Sequence, residues 1–198
     1  LEHTDLYDLQ HVDSTARNAA LLSDAWARQM RSGRRSFFRA LHAAFGSYFW
    51  ATGLLKLVND LAIFVTPVCI EYIVGYIDGQ PQYDVSLGTA FLIAVGMAAA
   101  QCAQSLALGQ YFFRGFRLGL RLRSSVGFVV YGKALALTSE RRAHFGVGAI
   151  VSYMQIDASK LADATPYLHQ TWSMPLQLSI ALAMLYRVLG PCGFAGLG

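Results

Sequence analysis

The feature that most constrains this chain is an uncharged stretch of 29 residues, 85–113, which contains no Lys, Arg, Asp, Glu or His. As a helix rising about 1.5 Å per residue, it is long enough to cross the hydrocarbon core of a bilayer, about 30 Å thick. Four arginines follow at positions 114, 117, 121 and 123. Because basic residues collect on the cytosolic side of membrane helices, we expect the chain to leave the bilayer on that side.

The overall composition agrees with a membrane protein. Hydrophobic residues make up 55% of the chain and charged residues 14%, whereas a soluble domain carries about 25% charged residues. Fourteen of the sixteen lysines and arginines lie at positions 17–39 or 114–160. This distribution flanks apolar spans and does not form the solvated basic face that nucleic-acid binding requires, so the expected partner is the lipid bilayer and not a nucleic acid. The cysteines and histidines show no metal-ligand spacing, and no metal site is expected.

The apolar pattern predicts an all-α, multi-pass integral membrane protein with its N-terminus in the cytosol. The predicted spans are residues 45–77, 85–113 and 164–186, and a fourth begins after Gly190 and Pro191. Because another apolar stretch starts where the sequence ends, we expect a fragment of a larger protein. No proline lies between Gln82 and Thr165, so the second helix should continue to about Leu137, a length of about 75 Å. Either the plasma membrane or an internal membrane such as the vacuole fits this pattern.

Residues 1–44 are predicted to be a cytosolic linker and an interfacial helix. Asp13 and Ser14 are placed to cap a helix that runs to about Arg31. Its predicted apolar stripe contains Ala19, Leu22, Ala25 and Trp26. The helix that follows mixes basic with apolar residues, as is typical of a helix on the inner leaflet, although a plain juxtamembrane anchor is an alternative. Its residues are Arg34, Arg35, Arg39, Phe37, Phe38 and Leu41.

The cytosolic extension of the second helix must pack against other helices, because it remains rich in apolar residues. Arg114, Arg117 and Arg121 recur at three and four residues and therefore form one stripe. Gly115 and Gly119 form a pair of small residues one turn apart, which permits close contact between helices.

One candidate site lies in the first span, where Lys56 and Asp60 are one helical turn apart. Charges inside a membrane helix are costly and should face each other, other helices or a wet cavity. A local ion pair that only stabilises the bundle is one interpretation. The other is a lysine that attracts anionic cargo, with Asp60 holding it in position, Asn59 as a further donor and Trp50 supplying aromatic contact.

A second candidate site is the inner hairpin of residues 114–163, whose two helices meet at a short apolar elbow from Gly148 to Asp157. We expect a soluble partner to hold this elbow, so that its motion reaches the spans. A plain cytosolic loop is the alternative, but a loop of this length without packing of its own would be unusual.

The segment from Gly127 to Lys133 matches G-x-x-x-x-G-K, the pattern of a phosphate-binding loop. Ala134 follows where Ser or Thr would reach Mg²⁺, and the residues between the glycines are bulky. We therefore expect a helix interior here, with no catalytic site and no cofactor in this sequence.

Several motifs in order resemble one family over essentially the whole chain. They closely resemble the first transmembrane domain of the C subfamily of ABC exporters, the multidrug-resistance-associated proteins. The matching stretches are Gly119-Leu-Arg-Leu-Arg-Ser-Ser, Tyr131-Gly-Lys133-Ala-Leu-Ala-Leu, Gly148-Ala-Ile-Val-Ser-Tyr-Met-Gln-Ile-Asp157 and Tyr167-Leu-His-Gln-Thr-Trp172-Ser-Met-Pro175-Leu-Gln177.

The resemblance implies a type-1 exporter domain over residues 45–198, with three spans and the start of a fourth. It implies that the elbow is a coupling helix docking on nucleotide-binding domains of the parent chain, which also holds a second transmembrane domain. Those domains would hydrolyse ATP with Mg²⁺, which makes the parent an ATPase-coupled translocase. The elbow residues concerned are Gly148, Ile150, Val151, Tyr153, Met154 and Asp157.

The segment from Lys56 to Asp60 resembles the Lys-x-x-His-Asp substrate-contact pattern of this family, with Asn59 in place of the histidine. Lys56 would then contact the anionic part of an organic conjugate, such as a glutathione conjugate. Ala149 replaces the acidic residue usual after the coupling-helix glycine. Two alternatives to an exporter remain open, namely a non-transporting subunit that regulates a channel and an inactive truncated product.

Overall fold

The computed structural model describes residues 10–33, 36–80, 83, 86–141 and 146–190. Three predicted features lie outside these ranges: linker residues 1–9, the pair Arg34 and Arg35, and the fourth span after Gly190. Within the described ranges the chain is predominantly helical and contains no strand, which confirms the all-α prediction.

The α-helices follow one another with short connections. In chain order they are α1 (Thr15–Arg31), α2 (Phe37–Ile63), α3 (Val65–Ile77), α4 (Leu87–Ala136), α5 (Val147–Ser152), α6 (Ala158–Ala164) and α7 (Gln170–Leu189). The chain divides into two compact units, which are described separately. The first unit is Leu1–Ala51 with Phe113–Tyr167, and the second is Thr52–Phe112 with Leu168–Gly198.

Two helical stretches within the described ranges are long and apolar enough to cross a membrane, namely Phe37–Ile77 with 41 residues and Leu87–Ala136 with 50. The first is interrupted at Phe64, between α2 and α3. Pro67 explains the interruption, because proline has no N–H to bond to the carbonyl group of Ile63 and its ring crowds that carbonyl. The third predicted span corresponds to α7, whose polar residues lower its mean hydropathy. Its crossing of the membrane stays a prediction.

Helix α4 is uninterrupted over 50 residues, which corresponds to about 75 Å. The prediction that this helix continues far beyond the arginines is therefore confirmed. The segment from Gly127 to Lys133 lies inside α4, as expected, and does not form a phosphate-wrapping loop. At the other end of the chain, the predicted interfacial segment is not a separate helix, because α2 runs from Phe37 to Ile63 without a break.

The first unit has an apolar core built by α1, α2 and α4. Its buried members are Leu22, Ala25, Ala40, Leu41, Phe45, Leu118 and Leu122. Ala19 is also buried, and Trp26 packs against the cluster, so the predicted stripe of α1 is confirmed. The extension of α4 thus packs part of its apolar surface against other helices, as predicted.

Asp13 does not cap α1, contrary to the prediction, and Ser14 occupies the N-cap position without a side-chain hydrogen bond. The Asp13 carboxylate instead accepts hydrogen bonds from Nη2 of Arg117 at 2.6 Å and from Nε of Arg121 at 2.6 Å. These two arginines share one partner, which confirms their place on one stripe of α4. Arg117 also donates to the side chain of Gln10. The hydrogen bond from Arg117, supported by Arg121, lowers the pKa of Asp13 despite the opposing effect of desolvation.

The paired glycines of α4 permit the close contact that their spacing predicts. A Cβ atom at Gly119 would lie 2.5 Å from the carbonyl oxygen of Ala162 in α6, and one at Gly115 would lie 3.1 Å from Cβ of Pro166. The backbone of α6 therefore rests directly on α4 at this point. By contrast, a Cβ at Gly132 on the same helix would meet no atom within 4 Å.

The substitution Gly119→Ala should destabilise the protein by about 1–3 kcal/mol, because the added methyl group has to push the α6 backbone away. Gly132→Ala is the matched control and should be neutral or stabilising, since alanine is favoured over glycine inside a helix. Thermal unfolding of the purified full-length variants measures both. Equal effects of the two substitutions would contradict the packing described here.

The substitution Asp13→Asn should loosen the N-terminal segment by about 1 kcal/mol, since the ion pairs are partly exposed to solvent. Because folding lowers the pKa of Asp13, its stabilising effect is complete above the ordinary carboxyl pKa of about 3.9 and disappears as the pH falls through the lowered value. Hydrogen exchange of α1 should therefore distinguish wild type from variant at pH 7 but not in strong acid. Asp24→Asn is the control, because Asp24 is exposed and forms no ion pair with any described residue.

Candidate functional site: a buried polar cluster

The second unit contains a cluster of buried polar side chains. Its most buried members are Asp60 and Ser173, both 0% exposed, with Asn59 at 2% and Lys56 at 5%. Many large apolar side chains of the same unit are exposed instead, among them Leu54, Val58, Leu61, Phe91, Leu92 and Leu178. A polar interior with an apolar exterior is the pattern expected where the surrounding medium is lipid.

Asp60 is the centre of this cluster. Its Oδ1 accepts hydrogen bonds from Nζ of Lys56 at 2.6 Å, from Nε2 of Gln177 at 2.8 Å and from Nδ2 of Asn59 at 3.1 Å. Its Oδ2 accepts a hydrogen bond from Oγ of Ser173 at 2.5 Å. Nε2 of Gln177 also lies 3.1 Å from Oγ of Ser173. The carboxylate therefore joins α2 to α7 through four donors.

Lys56 has fewer hydrogen-bond partners than Asp60 among the described residues. Among the described residues, Asp60 is the hydrogen-bond acceptor of the Lys56 ammonium group. The ammonium nitrogen also lies 5.9 Å from the centre of the Tyr111 ring. Since an ammonium group has three N–H donors, Lys56 retains capacity for a further acceptor.

Asn59 leaves a second hydrogen-bonding position open. Its Nδ2 donates to Asp60, but its buried Oδ1 has no partner within the part of the chain that the structure describes. Buried polar atoms are nearly always hydrogen-bonded, so an orphaned one requires an explanation such as a ligand or a bound water.

Aromatic side chains pack beside the cluster. The buried His169 ring stacks edge-on with Tyr111 and with Trp172, whose Nε1 donates to Nδ1 of His169 at 3.0 Å. The ring fits against α2 because Gly53 has no side chain, and a Cβ there would lie 2.6 Å from Cε1 of His169. The site thus combines a charged pair with an aromatic flank.

The structure brings together three of the four residues predicted to contact cargo, namely Lys56, Asn59 and Asp60. Trp50 belongs to the first unit and is 58% exposed. Its Nε1 donates to Nε2 of His42 at 3.0 Å.

The predicted elbow is helical from Val147 onward, and Gly146, with φ of 77°, precedes it. Its second half, Tyr153–Asp157, widens into a π-helical turn. Ile150 and Met154 are half-buried, whereas Val151 and Tyr153 are exposed. Gly148 and Asp157 are exposed as well. The elbow therefore exposes the apolar side chain of Val151 and the aromatic ring of Tyr153, and its docking on another domain stays a prediction.

Sequence reasoning missed Ser173 and Gln177 as members of the site. Both fall within the motif Tyr167–Gln177 that carries the family resemblance. The available signal is their spacing, because polar residues four apart in an apolar segment share one helix face and require a polar partner.

Comparison with known proteins now identifies the class. The profile of the ABC transporter transmembrane region matches residues 49–197. The chain is 39% identical to ABC transporter C family member 8 of Dictyostelium discoideum over 100% of its own length and 12% of that protein. It is 33% identical to the human ATP-binding cassette sub-family C member 2, over 96% of the chain and 12% of that protein. With human sub-family C member 3 it shares 31% identity over 99% of the chain and 14% of that protein.

This chain is a membrane protein that belongs to the ABC transporter transmembrane-region family, and the relatives compared above are C-subfamily members. The chain spans 12–14% of the length of those relatives.

Removing Asp60 should harm the fold more than removing Lys56. In Asp60→Asn the buried Lys56 loses its anion, and an uncompensated buried charge costs about 3–5 kcal/mol. In Lys56→Leu the Asp60 carboxylate keeps three other donors. The yield and the thermal unfolding midpoint of the full-length protein measure the difference, and equal losses would contradict the asymmetry.

Proposed function

We propose that this chain forms part of the translocation pathway of an ATP-driven exporter of amphipathic organic anions. The observation that carries the proposal is the buried Lys56, which combines a positive charge in a membrane helix with unused donor capacity. Membership of the ABC transmembrane family supports the general role in transport. The cluster chemistry supports the class of cargo.

The cargo fits the open positions of the cluster. A carboxylate or similar anion accepts hydrogen bonds from Lys56, and a neighbouring N–H group of the cargo donates to Oδ1 of Asn59. Trp172, which is half-buried and stacks edge-on with His169, offers aromatic surface for an apolar body. An organic conjugate with an anionic peptide-like head, such as a glutathione conjugate, combines these features.

The energy for transport would come from elsewhere in the full-length protein. The one G-x-x-x-x-G-K match of the sequence does not fit a nucleotide, because its residues are part of helix α4 and form no loop around a phosphate. ATP and Mg²⁺ would instead be held by nucleotide-binding domains, and a second transmembrane domain would complete the pathway. The elbow would serve as the docking surface for one such domain, with its exposed Val151 and Tyr153 as apolar contacts.

The substitution Lys56→Leu should abolish ATP-dependent uptake of a glutathione–bimane conjugate into inside-out membrane vesicles of the full-length protein. The reason is that the cargo anion loses its buried cationic partner. Lys56→Arg keeps the charge and should retain part of the uptake. Lys160→Leu, which removes an exposed lysine of α6, should leave uptake unchanged.

Two results would contradict the proposal. Normal uptake by a well-expressed Lys56→Leu variant would exclude the cargo role of this lysine. Absence of any ATP-dependent flux in the wild-type protein, together with co-purification of a channel, would favour the regulatory alternative.

A further inference from the structure

The hydrogen bonds of Asp60 divide into two groups. The first group comes from α2, where Lys56, the residue proposed to meet the cargo, makes a charged contact of 2.6 Å and Nδ2 of Asn59 donates at 3.1 Å. Two others come from α7, where Oγ of Ser173 and Nε2 of Gln177 lie 2.5 and 2.8 Å from the carboxylate. Ser173 and Gln177 are one turn apart and contact each other, so they present a single donor face to Asp60.

This division bears on how Lys56 can change partners. If Asp60 relied on Lys56 alone, turning the ammonium group toward a cargo anion would leave a buried carboxylate without a partner. The cargo affinity would then be lower by severalfold or more. Hydrogen bonds from Ser173 and Gln177 stabilise the negative charge independently of Lys56. The ammonium can then be shared between Asp60 and a ligand.

We propose that Ser173 and Gln177 are positioning residues for cargo binding: they hold Asp60 so that Lys56 is free to engage an anionic cargo. The inference rests on the proposed function and adds to it two residues of α7 that never touch the cargo. They act through Asp60, and their loss should tighten the Lys56–Asp60 pair at the expense of cargo affinity.

The alternative is that both residues only tie α7 to α2. The two roles differ in what they change. A structural tie affects the amount of folded protein and the maximal rate, whereas a positioning role raises the KM for anionic cargo in protein that is otherwise intact.

The test measures the KM and the maximal rate of ATP-dependent glutathione–bimane uptake into inside-out vesicles of the full-length protein. Ser173→Ala and Gln177→Leu should each raise KM about tenfold, the size expected for losing a hydrogen bond to a charged group. The maximal rate per folded molecule should change less than about twofold on the same reasoning. Ser173→Thr keeps the hydroxyl group and should return KM to near the wild-type value.

Ser179→Ala is the matched control, because the Ser179 hydroxyl lies on the same helix but donates to the carbonyl group of Pro175 and not to Asp60. It should leave both parameters unchanged. Gln177 is only half-buried, so Gln177→Leu is the variant that decides if Ser173→Ala does not fold.

The inference is overturned if the folded variants keep the wild-type KM, if they lose maximal rate alone, or if Ser173→Thr behaves like Ser173→Ala. Its failure is distinguishable from failure of the proposed function, which Lys56→Leu tests on its own. Loss of uptake in Lys56→Leu combined with an unchanged KM in the α7 variants rejects only the positioning role.

Discussion

The ionised carboxylate of Asp60 is the constraint on which the second unit depends. A buried negative charge is tolerated only where donors surround it, and here Lys56, Asn59, Ser173 and Gln177 supply four hydrogen bonds. Two of these bonds, from Ser173 and Gln177, link Asp60 of α2 with residues more than a hundred positions later in α7. In lipid the hydrophobic effect gives little drive for helices to associate, so such polar contacts take on much of that role.

The first unit is held together on a different principle. Its α1, α2 and α4 segments bury Leu22, Phe45 and Leu118 in an ordinary apolar core, as water-exposed helices do. Its ion pairs join Asp13 to the partly exposed Arg117 and to the buried Arg121. One chain thus relies mainly on apolar packing in the first unit and on a buried polar cluster in the second.

Much of this architecture was predictable from the sequence because its signals are periodic and local. The uncharged stretch and the absence of proline predict the long helix α4. The glycine pair predicts its close contact with another helix, which is α6. The capping role of Asp13 was predicted wrongly, because sequence position next to a helix start says nothing about arginines a hundred residues away. The break at Phe64 has a local cause in Pro67, which cannot bond to the carbonyl group of Ile63, and the predicted span of residues 45–77 did not include this break.

The polar cluster shows where sequence reasoning stops. Lys56 and Asp60 are four residues apart, so their pairing follows from helix geometry alone. The donors on α7 are remote in sequence, and only the fold places them on the other side of Asp60. That placement changes what the ion pair of Lys56 and Asp60 can do. With Lys56 as its sole partner, Asp60 would form a closed ion pair with no capacity for a ligand. With Ser173 and Gln177 bound as well, the carboxylate is stabilised from two helices and keeps hydrogen-bond donors when the lysine turns toward a ligand.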